Sequence, residues 1–177
     1  MSALHSSRVD DVVRRSARRT PDRIALTFRE RAWTYRRLDE AVTRAARILI
    51  DRGLPEQSRV ATYGRNSDAY LIAFLACSRA GLIHVPINFA LTGAELDHLL
   101  TDSGASLVLA DPGLAQHVRD IGTVTVLSLR DDEDSLLSEI DSASGPVPHV
   151  PDPEVTESDL AQLLYTSGTT SAPKGAM

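Results

Sequence analysis

Short apolar runs alternate with helical segments through the middle of the chain, and this alternation limits the possible fold more than any other feature. Runs of strand length, rich in Val, Leu and Ile, lie at residues 58–64, 82–88, 106–111 and 124–129. Between them, apolar residues recur every three to four positions, which is typical of helices that bury one face. The pattern predicts an α/β fold with a mostly parallel sheet flanked by helices and ligand sites beyond the carboxyl ends of the strands.

The residues before this region predict a helix, a pair of strands and a second helix. Apolar residues at helical spacing indicate an amphipathic helix over 8–18. Residues 23–28 alternate apolar and polar side chains, which predicts a strand, and residues 29–34 read as its hairpin-like return. A long helix is predicted over 35–52, with Thr34 as its N-cap.

Capping residues predict where several helices begin and end. Gly53 and Gly81 are expected to end the second and third helices. Asn66 or Ser67 is expected to cap the start of the third helix. The stretch Thr92–Glu95 has the pattern of a capping box, and it predicts the start of the fourth helix.

Two further segments carry information about the edges of the fold. Pro86 lacks a backbone amide hydrogen, so it places the strand at 82–88 at a sheet edge or near a strand end. Residues 130–158 are rich in acidic residues and Pro, and we interpret them as a short helix followed by a surface linker.

Charge and composition argue against nucleic acid as a partner. The net charge is −5 and 5% of the residues are aromatic, whereas nucleic acids bind to clustered basic charge and stacking rings. Residues 1–50 hold twelve Arg against six acidic residues, while residues 111–177 hold three basic against twelve acidic residues. We interpret the basic cluster on the first helix as a solvated face, with an interface or a membrane-surface contact as the alternative.

Cysteine and histidine give no sign of a disulfide framework or a metal cluster. Cys77 is the only cysteine and lies among apolar residues, so we expect a buried structural thiol. His84, His98 and His117 lack the spacing of metal ligands and are interpreted as structural or surface residues. No apolar run approaches the length of a membrane span, and we expect a cytoplasmic protein.

The stretch YTSGTTSAPKGAM, residues 165–177, has the composition of a phosphate-binding loop. Gly168 and Gly175 are expected to allow tight turns that point backbone amides at one anion. Thr and Ser supply hydroxyl donors, and Lys174, the only lysine, adds a compact positive charge. Pro173 stands where a Walker A motif needs its second Gly, so the loop is of another kind. A flexible terminal tail is the alternative that composition leaves open.

The same stretch resembles the phosphate-binding signature of the adenylate-forming enzyme superfamily, which includes acyl-CoA synthetases, adenylation domains of peptide synthetases and luciferases. That signature usually reads Y-T-S-G-T-T-G-x-P-K-G, and the chain departs from it at Ser171, where the family has Gly. Residues 84–111 look most like the corresponding part of fatty-acyl-CoA synthetases. The resemblance implies that residues 1–177 are part of the large N-terminal domain of such an enzyme, with the phosphate-binding loop at 165–177.

The resemblance also implies an activity. It implies an acid–thiol ligase that activates a carboxylic acid, of fatty-acid type, with ATP and Mg²⁺ and then transfers the acyl group to coenzyme A. The family's pattern assigns the β- and γ-phosphates of ATP to Thr166, Ser167, Gly168, Thr169, Thr170 and Lys174. It assigns no metal ligand in this chain, and the catalytic residues are expected beyond Met177. Ser171 either strains the loop or adds a donor.

Two alternatives keep the motif and change the function. One is a non-catalytic truncated remnant that serves as an interaction module. The other is an acyl-AMP ligase that delivers the acyl group to a carrier protein. We expect the chain to be the first part of a longer enzyme, with negligible adenylation activity alone. An exposed strand at 161–165 would favour self-association, so a homo-oligomer is expected.

Overall fold

The computed structural model of the protein describes residues 8–156, 158–166 and 174–176. The elements in chain order are α1 (Asp11–Arg19), β1 (Ile24–Phe28), β2 (Arg31–Thr34), α2 (Tyr35–Asp51), β3 (Arg59–Tyr63), α3 (Asp68–Arg79), β4 (Ile83–Ile87), α4 (Gly93–Ser103), β5 (Ala105–Ala110), α5 (Pro112–Ile121), β6 (Thr125–Ser128), α6 (Leu136–Ser142), β7 (Leu164–Thr166) and β8 (Lys174–Ala176).

The centre of the fold is a parallel sheet with the strand order β4-β3-β5-β6. Strand β3 pairs in parallel with both β4 and β5, and β5 pairs in parallel with β6. Pro86 lies in β4, an outer strand of this sheet, where its missing amide hydrogen costs little. The predicted α/β fold with a parallel sheet flanked by helices is confirmed.

The sheet is buried on both faces because its residues alternate between two apolar layers. In β5, Leu107 and Leu109 pack into the layer that holds α2, α3 and α6. Their neighbours Val108 and Ala110 pack into the opposite layer with α4 and α5. The continuous apolar sequence of β5 thus serves two cores at once, as is usual for the inner strands of parallel sheets.

The helix boundaries lie close to the predicted ones, and the predicted caps of α2 and α3 are confirmed. Thr34 Oγ1 accepts a hydrogen bond from the amide of Arg37, at 3.2 Å. Ser67, not Asn66, caps α3, because Ser67 Oγ accepts from the amide of Tyr70 at 3.1 Å.

The capping box predicted at the start of α4 is wrong. Helix α4 does begin at Gly93, but the hydroxyl of Thr92 accepts no cap hydrogen bond. Gly93 has a φ of +56°, a left-handed conformation at the first helical position. This entry into the helix explains why the Thr92 hydroxyl misses the amides of the first turn.

The N-terminal elements pack onto α3 through buried polar contacts. Strands β1 and β2 form the expected antiparallel hairpin, and Trp33 Nε1 donates to Asp68 Oδ2 at 2.9 Å. Arg79 is almost fully buried, and its guanidinium binds Asp10 (Nε···Oδ2 2.8 Å) and Asp39 (Nη2···Oδ1 2.7 Å). These pairs join α1 and α2 to the end of α3.

Residues 131–156 contact the body along their length, through apolar side chains and through ion pairs such as Arg8–Asp152 and Arg52–Glu139. Helix α6 buries Leu136, Leu137 and Ile140 in the core beside α2. Residues 143–156 form no helix or strand, yet Val150 is buried among core residues. The acidic and Pro-rich stretch therefore lies along the protein rather than away from it.

Candidate functional site

The chain joins the outer edge of the parallel sheet at residues 161–163. The amide of His84 donates to the carbonyl oxygen of Ala161, at 3.1 Å, and the amide of Leu163 donates to the carbonyl oxygen of His84, at 2.9 Å. Gln162 lies opposite His84 in a parallel bridge. The residues that follow therefore leave the bridge in the direction of β4, toward the carboxyl edge of the sheet.

His84 lies at the centre of this junction as a neutral buried side chain. The side-chain nitrogen Nε2 of Gln162 lies 3.0 Å from His84 Nδ1, and Thr62 Oγ1 lies 3.0 Å from His84 Nε2, so each ring nitrogen has a polar partner. The rings of Tyr70 and Phe74 pack against the imidazole. Burial lowers the pKa of His84 to about 4, which keeps the ring uncharged at neutral pH. His84 is a structural histidine, as expected.

Strands β7 and β8 form an antiparallel hairpin that holds both ends of the predicted phosphate loop. Tyr165 pairs with Gly175, and Thr166 pairs with Lys174. Directly opposed residues of an antiparallel pair have Cα atoms about 4.5–5.5 Å apart, so Thr166 and Lys174 close the base of segment 167–173. The predicted return to a strand before the loop is confirmed, while the second strand, β8, was not predicted.

The structure describes part of the predicted nucleotide-binding set. Thr166 is exposed in β7, and the backbone of Lys174 lies directly across from it in β8. The remaining predicted residues lie outside the described part of the chain: Ser167, Gly168, Thr169 and Thr170, together with Ser171.

Tyr165 faces the body of the protein from the middle of β7. Its phenol donates to Asp102 Oδ2, near the end of α4, at 2.6 Å. Its ring, together with Leu163, packs against the core layer that contains α4 and α5. Burial raises the pKa of the Tyr165 phenol, and the hydrogen bond to the Asp102 carboxylate raises it further. The phenol therefore keeps its proton and remains a donor.

Gly175 has a packing role that the sequence did not indicate. The prediction that Gly175 allows a tight turn toward the anion is wrong, because the residue lies inside β8 opposite Tyr165. A Cβ atom at this position would lie 3.1 Å from Leu163 Cδ1 and 3.3 Å from Tyr165 Cζ. The absent side chain leaves room for the tyrosine ring. The same prediction for Gly168 lies outside the described residues.

An apolar cavity of about 390 Å³ lies between the β1–β2 hairpin, α3, β4 and Gln162. Phe28, Tyr70 and Phe74 line it on the apolar side, and His84 and Gln162 are among its polar lining. Sequence reasoning missed this cavity because its walls come from segments far apart in the chain. Its one local signal is the pair of aromatic residues four positions apart in α3.

A second polar cluster joins the carboxyl ends of three neighbouring strands. Asp111, directly after β5, accepts hydrogen bonds from the amide of Arg65 (2.9 Å) and from Arg130 Nε (3.0 Å). Gly64 lies so close to this carboxylate that a Cβ would stand 3.1 Å from Asp111 Cγ. The sequence signal for the cluster is an acidic residue immediately after a buried strand. Because each of these contacts is internal, the cluster fastens the strand ends together.

Side chains outside the loop and the junction were predicted to be structural or surface residues. Cys77 is buried as predicted, and burial raises the pKa of its thiol to about 12. The described residues contain no group of three or more His, Cys, Asp or Glu that could hold a metal ion. None of the helices in the described part of the chain is long and apolar enough to cross a bilayer. On α1, the exposed members of the basic cluster are Arg15, Arg18 and Arg19.

A parallel sheet with helices on both faces, whose outer strand bridges to the chain at residue 162, is an α/β fold of the kind that binds ligands beyond the carboxyl ends of its strands. Residues 13–177 match the model of the AMP-binding enzyme family, and the chain belongs to this family. The resemblance to adenylate-forming enzymes is thereby confirmed.

Individual relatives support the same assignment. A feruloyl-CoA synthase of Amycolatopsis sp is 39% identical over 163 residues, which are 92% of this chain and 31% of that enzyme. The crystal structure of VinN matches 96% of this chain and 45% of VinN, with a TM-score of 0.83 and 28% identity. NpsA-ThdA from Klebsiella oxytoca, an artificially fused Adenylation-PCP di-domain, matches 98% of this chain and 33% of that protein, with a TM-score of 0.78 and 27% identity.

The chain therefore spans about a third of the length of the first of these relatives. It is an adenylate-forming enzyme segment with an α/β fold. None of the three relatives is named for a fatty acid, so the predicted fatty-acid substrate stays a prediction.

Proposed function

We propose that this protein acts, as part of a longer enzyme, in the activation of a carboxylic acid with ATP and its transfer to coenzyme A. The observation that carries the proposal is the hairpin that sets Thr166 opposite Lys174 at the two ends of the phosphate-loop sequence. The loop belongs to a chain of the AMP-binding enzyme family. The feruloyl-CoA synthase relative supports coenzyme A as the acceptor.

The chemistry has two steps. A carboxylate oxygen of the acid attacks the α-phosphorus of ATP, the bond to the bridging oxygen breaks, and pyrophosphate leaves with the electron pair. The sulfur of the coenzyme A thiolate then attacks the acyl carbon of the adenylate, and AMP leaves. The first step gathers negative charge on the departing pyrophosphate, so donors held at that position lower its barrier.

We assign the pyrophosphate end of ATP to the loop. Lys174 would supply the positive charge, which suits a phosphate as a compact point charge. Hydroxyl and amide donors would come from the remainder of the set: Thr166, Ser167, Gly168, Thr169 and Thr170. Magnesium enters as part of the MgATP substrate, held by the phosphate oxygens themselves.

The acid and the acceptor are the finer parts of the proposal. The similarity of residues 84–111 to fatty-acyl-CoA synthetases favours an alkyl acid, while the feruloyl-CoA synthase relative favours an aromatic one. The Adenylation-PCP neighbour favours the alternative in which a carrier protein takes the acyl group. We propose coenzyme A as the acceptor, a fatty or aromatic acid as the substrate, and the cytoplasm as the location.

Acid-dependent exchange of pyrophosphate into ATP tests the activation step. The protein as its native host makes it, whose intact mass is measured first, is compared with the 177-residue chain across alkyl and aromatic acids. We expect exchange from the native form with one acid class. The Lys174→Ala variant of that form should bind MgATP about tenfold to a hundredfold more weakly, because a charge-assisted contact to phosphate is lost.

Arg119→Ala, which removes an exposed charge from α5, is the matched control and should leave MgATP affinity unchanged. A thioester of coenzyme A among the products supports the proposed acceptor, and transfer only to a carrier protein replaces it with the alternative. If no acid supports exchange and Lys174→Ala leaves MgATP affinity unchanged, the proposal is wrong and the non-catalytic interaction module takes its place.

A further inference from the structure

We propose that Tyr165 is the positioning residue of the phosphate loop, through its hydrogen bond to Asp102 and its ring packing over Gly175. The proposal rests on the function proposed for the loop, and it adds the device that sets where the loop begins. Tyr165 does not touch ATP in this assignment. It acts through Thr166 and Lys174, which close the base of the loop.

The position of Tyr165 along the chain gives it this role. Hydrogen bonds between main chains attach residues 161–163 to His84 at the sheet edge, but β7 then pairs with β8 alone. Among the described side chains of this hairpin, the contact to Asp102 is the one hydrogen bond that reaches the body of the protein. The hairpin is therefore attached at its start by the sheet and near its loop by Tyr165.

The acceptor of this hydrogen bond, the carboxylate of Asp102, lies at an unfavourable position in its helix. Asp102 lies in the last turn of α4, which ends at Ser103. Negative charge at the C-terminal end of a helix is unfavourable because the carbonyl groups there already present negative potential. The phenol of Tyr165 places a donor against Asp102 at 2.6 Å, a short, charge-assisted contact. The contact offsets the unfavourable charge and ties β7 to α4.

The anchor also decides which face of the hairpin carries Thr166. Successive residues of a strand point to opposite faces, so a Tyr165 that faces α4 leaves Thr166 on the opposite face. The structure agrees, since Thr166 is exposed while Tyr165 is partly buried. A hairpin that slipped by one residue would exchange these two faces and turn Thr166 toward α4.

Gly175 completes the anchor from the partner strand. The ring of Tyr165 occupies space that any side chain at Gly175 would enter, with the nearest ring carbon 3.3 Å from the position of a Cβ. The Tyr165 ring is rigid, so it cannot make room for an added Cβ by bending as the end of a flexible side chain could. A methyl group at Gly175 should therefore push the phenol away from Asp102.

Substitutions that remove only the hydrogen bond test the proposal in the full chain. Tyr165→Phe deletes the hydroxyl, Asp102→Ala deletes the acceptor, and Asp102→Asn keeps an acceptor oxygen. The matched controls are Tyr35→Phe at the start of α2 and Asp97→Ala on the exposed side of α4. The readouts are amide hydrogen exchange in β7 and β8, the dissociation constants of MgATP and magnesium pyrophosphate, and the thermal midpoint.

We expect Tyr165→Phe and Asp102→Ala each to weaken MgATP binding about threefold to tenfold and to speed exchange in the hairpin. Because both remove one interaction, the double variant should be no weaker than either single variant. Asp102→Asn should retain most of the affinity, and thermal midpoints should stay near that of the wild type. In the exchange reaction of the native form, KM for MgATP should rise while KM for the acid does not.

Gly175→Ala provides an independent variant and should weaken binding in the same direction. The proposal would be overturned if Tyr165→Phe and Asp102→Ala behaved like their controls. In that case neither variant would change amide hydrogen exchange in the hairpin or the affinity for MgATP. Wild-type protein in its native form that binds neither MgATP nor magnesium pyrophosphate would count against the proposed function instead. In that case, the hydrogen exchange of the hairpin still decides whether Tyr165 anchors it.

Discussion

The parallel sheet and the β7–β8 hairpin are held in the protein by different means. Each inner strand of the sheet packs against helices on both faces, as Val108 and Leu109 do on opposite sides of β5. The hairpin has three residues in each strand and reaches the body mainly through Tyr165 and the bridge at Gln162. The sheet is stabilised by many small contributions, whereas the hairpin depends on a few identifiable contacts.

This difference separates the scaffold from the part that is expected to bind phosphate. Segments with few buried contacts open at low free energy, and loops that close over ligands are drawn from such segments. A change in the body should therefore alter the stability of the whole chain, and a change in the hairpin should alter local protection and ligand affinity.

Arg79→Ala should give the largest loss of stability. The substitution removes the nearer of two guanidinium groups from the carboxylate of Asp10, which is fully buried and keeps Arg8 Nε at 3.5 Å. Breaking a buried ion pair from one side costs about 3–5 kcal/mol of the free energy of unfolding, and because Arg8 remains, we expect a loss near the lower end of this range. Urea unfolding monitored by circular dichroism measures this loss. The exposed Arg119→Ala is the control, and a loss for Arg79→Ala as small as that of the control would contradict the assignment of Asp10 and Arg79 to the rigid body.

A pH titration examines the junction between the body and the hairpin. The pKa of His84 is lowered by burial to about 4, below the unfolded value of about 6.5. Between pH 6.5 and 4, the imidazole of His84 is protonated in the unfolded chain but remains neutral in the folded chain. The contribution of His84 to the free energy of unfolding is complete above pH 6.5. It is lost as the pH falls toward 4, by up to about 3 kcal/mol.

The polar contacts of His84 are uncharged, since Thr62 and Gln162 bind its two ring nitrogens. Denaturant unfolding at several pH values between 4 and 7 follows the effect. His84→Gln should flatten the pH dependence in this range, and the exposed His98→Gln should leave it as in the wild type. An unchanged pH dependence in His84→Gln would show that other groups cause the acid sensitivity.

The body of the fold could be predicted from the sequence because each of its elements has a strong local pattern. The apolar run of β5 and the apolar spacing of α2 indicate their structure without reference to distant residues. Burial on both faces follows from the same pattern, because a parallel strand that is apolar at every position has no polar face to expose to solvent.

The hairpin could be predicted only in part. The sequence motif indicates a strand followed by a loop, but the pairing of Tyr165 with Asp102 joins residues 63 positions apart. No local periodicity indicates such a contact. Gly175 shows the same limit: a glycine here suggested a turn, whereas the residue pairs with Tyr165 inside β8 and lies against its ring. Roles that depend on a distant partner appear only once the fold brings the partners together.

The smallest expected loss of stability distinguishes two hydroxyl residues, Ser67 and Thr92, that both look like helix N-caps in the sequence. Ser67 Oγ accepts a hydrogen bond from the amide of Tyr70, whereas Thr92 makes no such bond at the start of α4. Ser67→Ala should therefore cost about 1 kcal/mol, and Thr92→Ala should change the free energy of unfolding by only a few tenths at most. Parallel urea titrations of the two variants compare them directly. Equal losses would mean that Thr92 caps α4 in solution after all, and that the left-handed Gly93 does not prevent the hydroxyl from reaching the first turn.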